Sequence, residues 1–401
     1  MSTSMLYHAF GIKDVKYRKT DFVAGEIRVH AEMTRQLARC PVCQSSDTIY
    51  QGRKIRPLRL PQIGRHQAWL YLVVHRLECR NCGALSWPHL PFTGPRLSYT
   101  RSFERLVLEL LKFTTIAACA FFLWTGWDLI KDIHRRALER KYRHIRLKDV
   151  RYIAIDEFSI RKGHVYMTIV IDLASGRILH LAEGKGGESI VAFLKTLARR
   201  APNLRAVAMD ISDAYIGAVK KHLPRVAIVL DHYHLAALIN RAVDEFRREF
   251  QGECDRLGHK TLKGARFLLL ANYENLTRKK RKRLDRLLEI NQPLMTMHAM
   301  KEQFRLFWEL ESRVEAERFL ANWCEDAMSS GIKQLKRVGA TIAAYRTLVL
   351  NYFNHPISSG KIEGINNKIK TLKRQAYGYR DMAYFKLRLF HLHEQTYSLT
   401  G

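Results

Sequence analysis

Residues 150–240 confine the chain to few architectures, because three apolar runs are followed by a strict alternation of helix and strand patterns. The runs VRYIAIDEFSI, HVYMTIVIDL and GRILHLAEG are short and rich in Val and Ile, and the turn Asp172-Leu-Ala-Ser-Gly176 joins the last two as a hairpin. The amphipathic segment ESIVAFLKTLARR comes next, then the strand LRAVAMD, the helix ISDAYIGAVKKHL and the strand RVAIVLD. Strands that alternate with helices become parallel neighbours, so the spacing predicts one mixed sheet. Three of these runs lead into a carboxylate: Asp156, Asp210 and Asp231. An Asp ending a buried strand sits at the rim of a sheet, where α/β folds place their chemistry. One such Asp is commonly a turn or capping residue, but three in one sheet of a very basic chain point to a metal site.

Three meandering strands followed by β-α-β is the order of a ribonuclease-H-like core, in which the fourth strand lies beside the first. Asp210, after the fourth strand, is therefore expected near Asp156. Such a core needs a further helix to cover the sheet and bring one more carboxylate. SSGKIEGINNKIKTLKRQAYGYRD fits, with Ser358 or Ser359 able to cap it. Glu363, Asn366, Asn367, Lys370 and Arg374 fall at i, i+3, i+4, i+7 and i+11, which is one helix face. A carboxylate followed by amides and cations is a poor core stripe and suits a metal ligand beside a phosphate backbone; Lys373 adds a cation. The helical block 251–352, with its basic run Arg278–Arg283, then becomes an insertion before that helix. Trp308 and Trp323 within it have helical spacing and are expected to pack in the core.

Lys and Arg total 68 against 38 Asp and Glu, a formal charge of +30 that points to a polyanion, most simply DNA. No membrane partner is expected, because the most apolar run, Ile116–Trp127, falls short of the about 20 residues that span a bilayer. Without a secretory signal the expected location is the cytoplasm, on the bacterial nucleoid. Cys40-Pro-Val-Cys43 and Cys79-Arg-Asn-Cys82 are two ligand-spaced knuckles with strand-like sequence between them, which reads as a zinc ribbon holding a structural Zn²⁺. Gly83 follows the second knuckle, whereas Gln44 follows the first. A redox pair explains one Cys-x-x-Cys and not two. Cys119, Cys254 and Cys324 lie in helical apolar patterns and are expected to be packing residues. Helical patterns over 102–113, 116–123 and 127–141, with a turn at Thr125-Gly126, suggest a helix-turn-helix whose third helix brings Lys131, His134, Arg135 and Arg136 to or near a DNA groove.

DEFSIRKGHVYMTIVIDL, MDISDAY, LDHYHL and above all GKIEGINNKIKTLKRQAYGYRD resemble the ISL-three family of bacterial insertion-sequence transposases, across nearly the whole chain. The resemblance implies a DDE transposase with two Mg²⁺ ions, Mn²⁺ able to substitute. It would bind double-stranded DNA, namely the terminal inverted repeats of its element and the target, and catalyse strand cleavage and strand transfer. A homodimer on DNA is expected. Asp156, Asp210 and Glu363 are assigned as the metal-binding catalytic triad, and Lys131, Arg135, Arg136, Asn367, Lys370, Lys373 and Arg374 as DNA contacts. Asp231-His232-Tyr233-His234 resembles a Cys-or-Asp-x-x-His signature of related transposases, so Asp231 and His234 are expected as a structural or DNA-positioning pair. A catalytically silent DNA-binding regulator, and a nuclease that cuts without joining, are the alternative functions. The expected layout is a zinc ribbon at 1–95, a helix-turn-helix at 96–148, the first part of the ribonuclease-H-like core at 149–250, the helical insertion at 251–352, and the remaining core helices with the catalytic Glu at 353–401.

Overall fold

A computed structural model describes residues 5–161, 165–256, 264–376 and 378–394. They form two compact units, the first running to Arg143 and including Glu394, the second spanning His144–His393. Among the described residues no helix is long and apolar enough to cross a membrane.

In the first unit, β1 (Val15–Val23), β2 (Glu26–Met33), β3 (Thr48–Ile63), β4 (His66–Cys79) and β5 (Leu85–Ser86) form one sheet. The order is β1-β2-β4-β3, with β5 on β4. Ala68, Leu70, Leu72 and Val74 alternate inward along β4, the period-two pattern of a half-buried strand. Within residues 1–35 the sequence suggests only a short strand near Glu26–Val29. The longer β1 escapes it because this edge strand, VKYRKTDFV, buries no side chain fully and so lacks an apolar alternation.

Three helices follow, Arg101–Leu110, Ile116–Phe122 and Trp127–Tyr142. The hydroxyls of Thr100 and Thr115 cap the first two, accepting from the amides of Phe103 and Ala118. Thr100 also donates its amide and hydroxyl to the Arg59 carbonyl, each at 3.0 Å. The buried Arg59 guanidinium in turn donates to the Leu123 carbonyl at 2.9 Å. The helices are thus locked to β3, and the expected division at 95/96 falls inside one packed unit.

The second unit contains β6 (Tyr152–Arg161), β7 (Val165–Asp172), β8 (Ile178–Glu183), β9 (Ala206–Met209) and β10 (Ala227–Leu230) in the order β10-β9-β6-β7-β8. The hairpin-linked pairs β6–β7 and β7–β8 are antiparallel, whereas β6–β9 and β9–β10 are parallel. The helices Val191–Arg200 and Asp213–His222 supply the crossovers that parallel neighbours require. At the β7–β8 hairpin, Gly176 takes a left-handed φ of 73° and donates to the Asp172 carbonyl at 2.8 Å.

After β10, helix His232–Arg256 runs unbroken through position 251. Leu294, Leu320, Trp323 and Leu335 of the later helices join the same hydrophobic cluster as Ile153, Ile155 and Val207 of the sheet. The inserted helices therefore share the sheet's core. Trp323 is buried and donates Nε1–H to the Met300 carbonyl at 3.0 Å, while Trp308 packs against Phe304, Phe307 and Tyr352. Cys119 and Cys324 are buried as expected; the Cys254 side chain lies outside the described residues.

One close approach sets the position of the helix Asp213–His222. A Cβ at Gly187 would lie 2.3 Å from the Ala214 carbonyl oxygen. Gly187→Ala should therefore destabilise the protein by about 1–3 kcal/mol, the usual cost of overpacking. A denaturant melt should show a lower midpoint at unchanged slope; an unchanged midpoint would mean that the turn slides aside freely.

Candidate active site

In the first unit Cys40 and Cys79 are buried, Cys43 and Cys82 exposed, and their four sulfurs lie within 4.8 Å of one another. The Cys40–Cys82 and Cys43–Cys79 separations of 3.7 and 3.5 Å exclude disulfides and suit the edges of a tetrahedron around Zn²⁺. Gln44 and Gly83, at φ 62° and 69°, donate to the carbonyls of Cys40 and Cys79, each at 2.9 Å. Both knuckles thus make the same left-handed turn, and Gln44 accepts the strain that glycine avoids at position 83. The Ser45 amide, followed by the neighbouring thiols, pulls the Cys43 thiol down to about 6. At Cys82 the Ala84 amide lowers the pKa, but the crowding thiols push it up to about 12. Four sulfurs this close ionise together only with a cation among them, so the donor set fits zinc.

In the second unit the register of β6 on β9 pairs Ala154 with Ala208. Continuing it two residues sets Asp156 level with Asp210 on the same face of the sheet. β10 pairs Leu230 with Met209, which brings Asp231 to the same rim. Burial pushes the Asp156 carboxyl above the usual range and the Asp210 charge adds to this, against the amides of Glu157 and Asn366. Glu157 N–H donates to Asp156 Oδ1 at 2.6 Å, and Asn366 Nδ2 donates to Oδ2 at 2.8 Å. His234 Nε2 lies 2.8 Å from Asp210 Oδ1, and that hydrogen bond raises the imidazole pKa despite its half-burial.

Asp231 and His234, expected as a pair, take different partners. Asp231 is buried and accepts from the Ser359 amide at 3.0 Å, from the Ser359 hydroxyl, and from the Tyr233 amide at 2.7 Å. The first turn of the helix carries His234 back over β9 to Asp210, while the Asp231 side chain turns inward. Ser359 is thereby the N-cap residue of helix Gly360–Gln375 without a side-chain cap bond. Glu363 is exposed on the first turn of that helix, one turn before Asn366. Among the described residues only the four cysteines bring three or more ligating side chains within 4.8 Å of one another, so Asp156, Asp210 and Glu363 do not all lie within that distance. The Asp156–Asp210 pair nonetheless fits a divalent cation: two carboxylates repel at one rim, and the buried Asn366 Oδ1 beside them has no hydrogen-bond partner.

Asn367, Lys370 and Arg374 are exposed along one edge of the helix. Lys373 is not available in the same way: it donates to the Ser159 carbonyl at 2.8 Å and ties the helix to β6. In the first unit Lys131 lies over the Trp127 ring, Arg135 pairs with Glu139 at 3.4 Å, Arg136 is exposed and His134 is buried. Sequence reasoning misses Asn366 as a partner of Asp156, although it lies on the expected helix face. It also misses Tyr215, whose hydroxyl joins Glu157 at 2.8 Å, Thr168 at 2.7 Å and the Gly186 amide at 2.9 Å on the other face of the sheet.

These features coincide with a known class. Residues 153–389 match the family model DDE_Tnp_ISL3, described as a transposase, and residues 36–82 match the zinc-finger of transposase IS204/IS1001/IS1096/IS1165. The chain belongs to the ISL3 family of DDE transposases. It is 30% identical to the transposase for insertion sequence element IS1001 of Bordetella parapertussis, over 96% of this chain and 95% of that one. It is 24% identical to the transposase for insertion sequence element IS1557 of Mycobacterium tuberculosis (strain ATCC 25618 / H37Rv), over 92% of this chain and 89% of the other. Among solved structures, the Drosophila P element transposase strand transfer complex aligns with a TM-score of 0.41 at 10% identity, covering 76% of this chain and 94% of that one.

Cys40→Ser or Cys79→Ser should remove zinc measured by atomic absorption and lower the melting of the first unit only. One zinc per chain retained in both variants would count against the four-thiolate site. Asp231→Asn should weaken the hold on Ser359 and destabilise the protein by about 1–3 kcal/mol, the cost of a lost hydrogen bond to a buried charge. A melt identical to the parent's would show that the contact contributes nothing.

Proposed function

We propose that this family member cleaves DNA strands at the terminal inverted repeats of its element and transfers them to target DNA, using Asp156, Asp210 and Glu363. The observation that carries the reading is the β6–β9 register, which sets two carboxylates level at one rim, together with the Asn366–Asp156 hydrogen bond that holds the Glu363 helix beside them. The strand order β10-β9-β6-β7-β8 supports a ribonuclease-H-like core. The three helices between Arg101 and Tyr142, with Lys131, Arg135 and Arg136 on the last, support a helix-turn-helix that reads the ends. The five segments laid out from the sequence are kept as functional assignments within the two packed units. The working form would be a homodimer on DNA in the bacterial cytoplasm.

Both reactions are in-line displacements at phosphorus, by water in cleavage and by the freed 3′-hydroxyl in transfer. Mg²⁺ or Mn²⁺ held by Asp156, Asp210 and Glu363 would supply charge neutralisation at the scissile phosphate and activate the attacking oxygen. The chain's own residues preset the geometry. Asn366 and the Glu157 amide fix the Asp156 carboxylate, and His234 fixes that of Asp210. Glu363 stands one helical turn from Asn366, with Asn367, Lys370 and Arg374 beyond it to take the DNA backbone.

Asp156→Asn, Asp210→Asn and Glu363→Gln should each keep binding to end DNA while losing both nicks and joined products in Mg²⁺. Nicking by Glu363→Gln at the parent rate would remove Glu363 from the triad. Loss of nicking in a folded Asp231→Asn, with Asp210→Asn still active, would reverse the roles given to those two residues.

A further inference from the structure

A cleft of about 270 Å³ runs along helix His232–Arg256, walled on its far side by the helix Arg266–Leu270. Tyr233, Asn240, Arg241, Asp244 and Arg248 line it at successive turns of one helix face, and Arg266 faces them. From Tyr233 to Arg248 that face is about 22 Å long at the rise of an α-helix. One end of the cleft lies at the catalytic rim: Tyr233 is 64% exposed, and its ring is 5.7 Å from that of His234, which bonds Asp210.

Charge in the cleft is unbalanced. Asp244 faces three guanidiniums, with Arg247 at 2.9 Å, Arg266 at 3.4 Å and Arg248 at 3.6 Å. Arg247 is the near and largely buried partner, while the side chains of Arg248 and Arg266 are 66% and 56% exposed. Arg241 is exposed and uses its Nε on the Ala237 carbonyl at 3.3 Å. One carboxylate thus fixes a set of cations that it cannot neutralise, an arrangement that attracts a polyanion. An exposed aromatic ring at the rim end adds a surface on which a base can stack. The volume is too small for a duplex, and a row of lining residues about 22 Å long fits one extended strand.

We propose that this cleft is a single-stranded DNA track leading from the carboxylate rim, with Tyr233 stacking on a base and Arg241, Arg248 and Arg266 holding phosphates. The proposal rests on the DNA-cleaving function above and adds a subsite and a strand form to it. It places the strand beside His234 at the rim, so that cutting is coupled to local opening of the duplex.

The test uses the full chain, a fluorescent dT12 oligonucleotide, and a blunt duplex as comparison, in EDTA so that binding is read without cleavage. Tyr233→Ala should weaken dT12 binding tenfold or more, as loss of a stacked base does, and Tyr233→Phe should restore it. Arg241→Ala with Arg248→Ala should lower the salt slope for dT12 by about one to two. All these positions are exposed, and unchanged melting curves would verify the fold. Parental dT12 affinity and slope in the variants would overturn the proposal. Equal losses on blunt duplex would overturn it in favour of a duplex contact, and lost self-association with unchanged DNA binding in favour of a protein contact. If the parent chain nicks end DNA but does not bind dT12, only the track falls. If it binds no DNA of either form, the proposed function falls with it.

Discussion

The Glu363 helix depends on a buried carboxylate far away in the chain. Asp231 ends β10, and its acceptors take the amide and hydroxyl of Ser359, 128 residues later. Nothing local in the sequence directs the helix Gly360–Gln375 back to the sheet after so many inserted residues. Its position comes from tertiary ties: Ser359 to Asp231, Lys361 to the Leu173 carbonyl at 2.6 Å, Asn366 to Asp156 and Lys373 to the Ser159 carbonyl. Three of these run to elements of the sheet that precede the insertion by far. A hydrogen bond to a buried charge is worth about 1.5–3 kcal/mol, so the Asp231 contact alone is a substantial part of a domain's stability.

This arrangement also separates two aspartates that look alike. Asp210 and Asp231 each follow a four-residue buried strand, yet Asp210 stays at the open rim with His234 while Asp231 is closed over by Ser359. Burial with full hydrogen bonding suits a structural carboxylate, whereas a partly exposed one facing another carboxylate suits a cation. Zinc held by the four cysteines would serve the first unit in a comparable way: it would cross-link the chain before β3 to the end of β4, beside the apolar cluster that already joins Leu37, Ala38 and Leu77.

Much of the sheet was legible in the sequence, because buried strands such as AVAM and AIVL carry runs that no helix period explains, and because the Asp172–Gly176 turn has its own signature. The Cys spacing was equally explicit. The edge strand β1 was not legible, since exposed Lys, Arg and Thr carry no burial signal. The partners of Asp231, His234 and Asn366 were not legible either. Each lies on an element that the sequence reveals, but the bond depends on how that element is rotated against another, which local pattern does not encode. The same reason hides the union of the inserted helices with the sheet: their apolar faces are visible, while what covers them is decided by the fold as a whole.

Sharing one core between sheet and insertion also sets a timetable. At about 5–20 residues per second, synthesis leaves Asp231 waiting roughly 6–25 s for Ser359. Throughout that interval the strands and their aspartates exist, but the helix bearing Glu363 and Asn366 does not. A chain stalled on the ribosome, or cut short in the insertion, therefore lacks Glu363, the proposed last carboxylate, and the Asn366 amide that bonds Asp156. The long excursion between β10 and Gly360 makes the complete rim a property of the finished polypeptide alone.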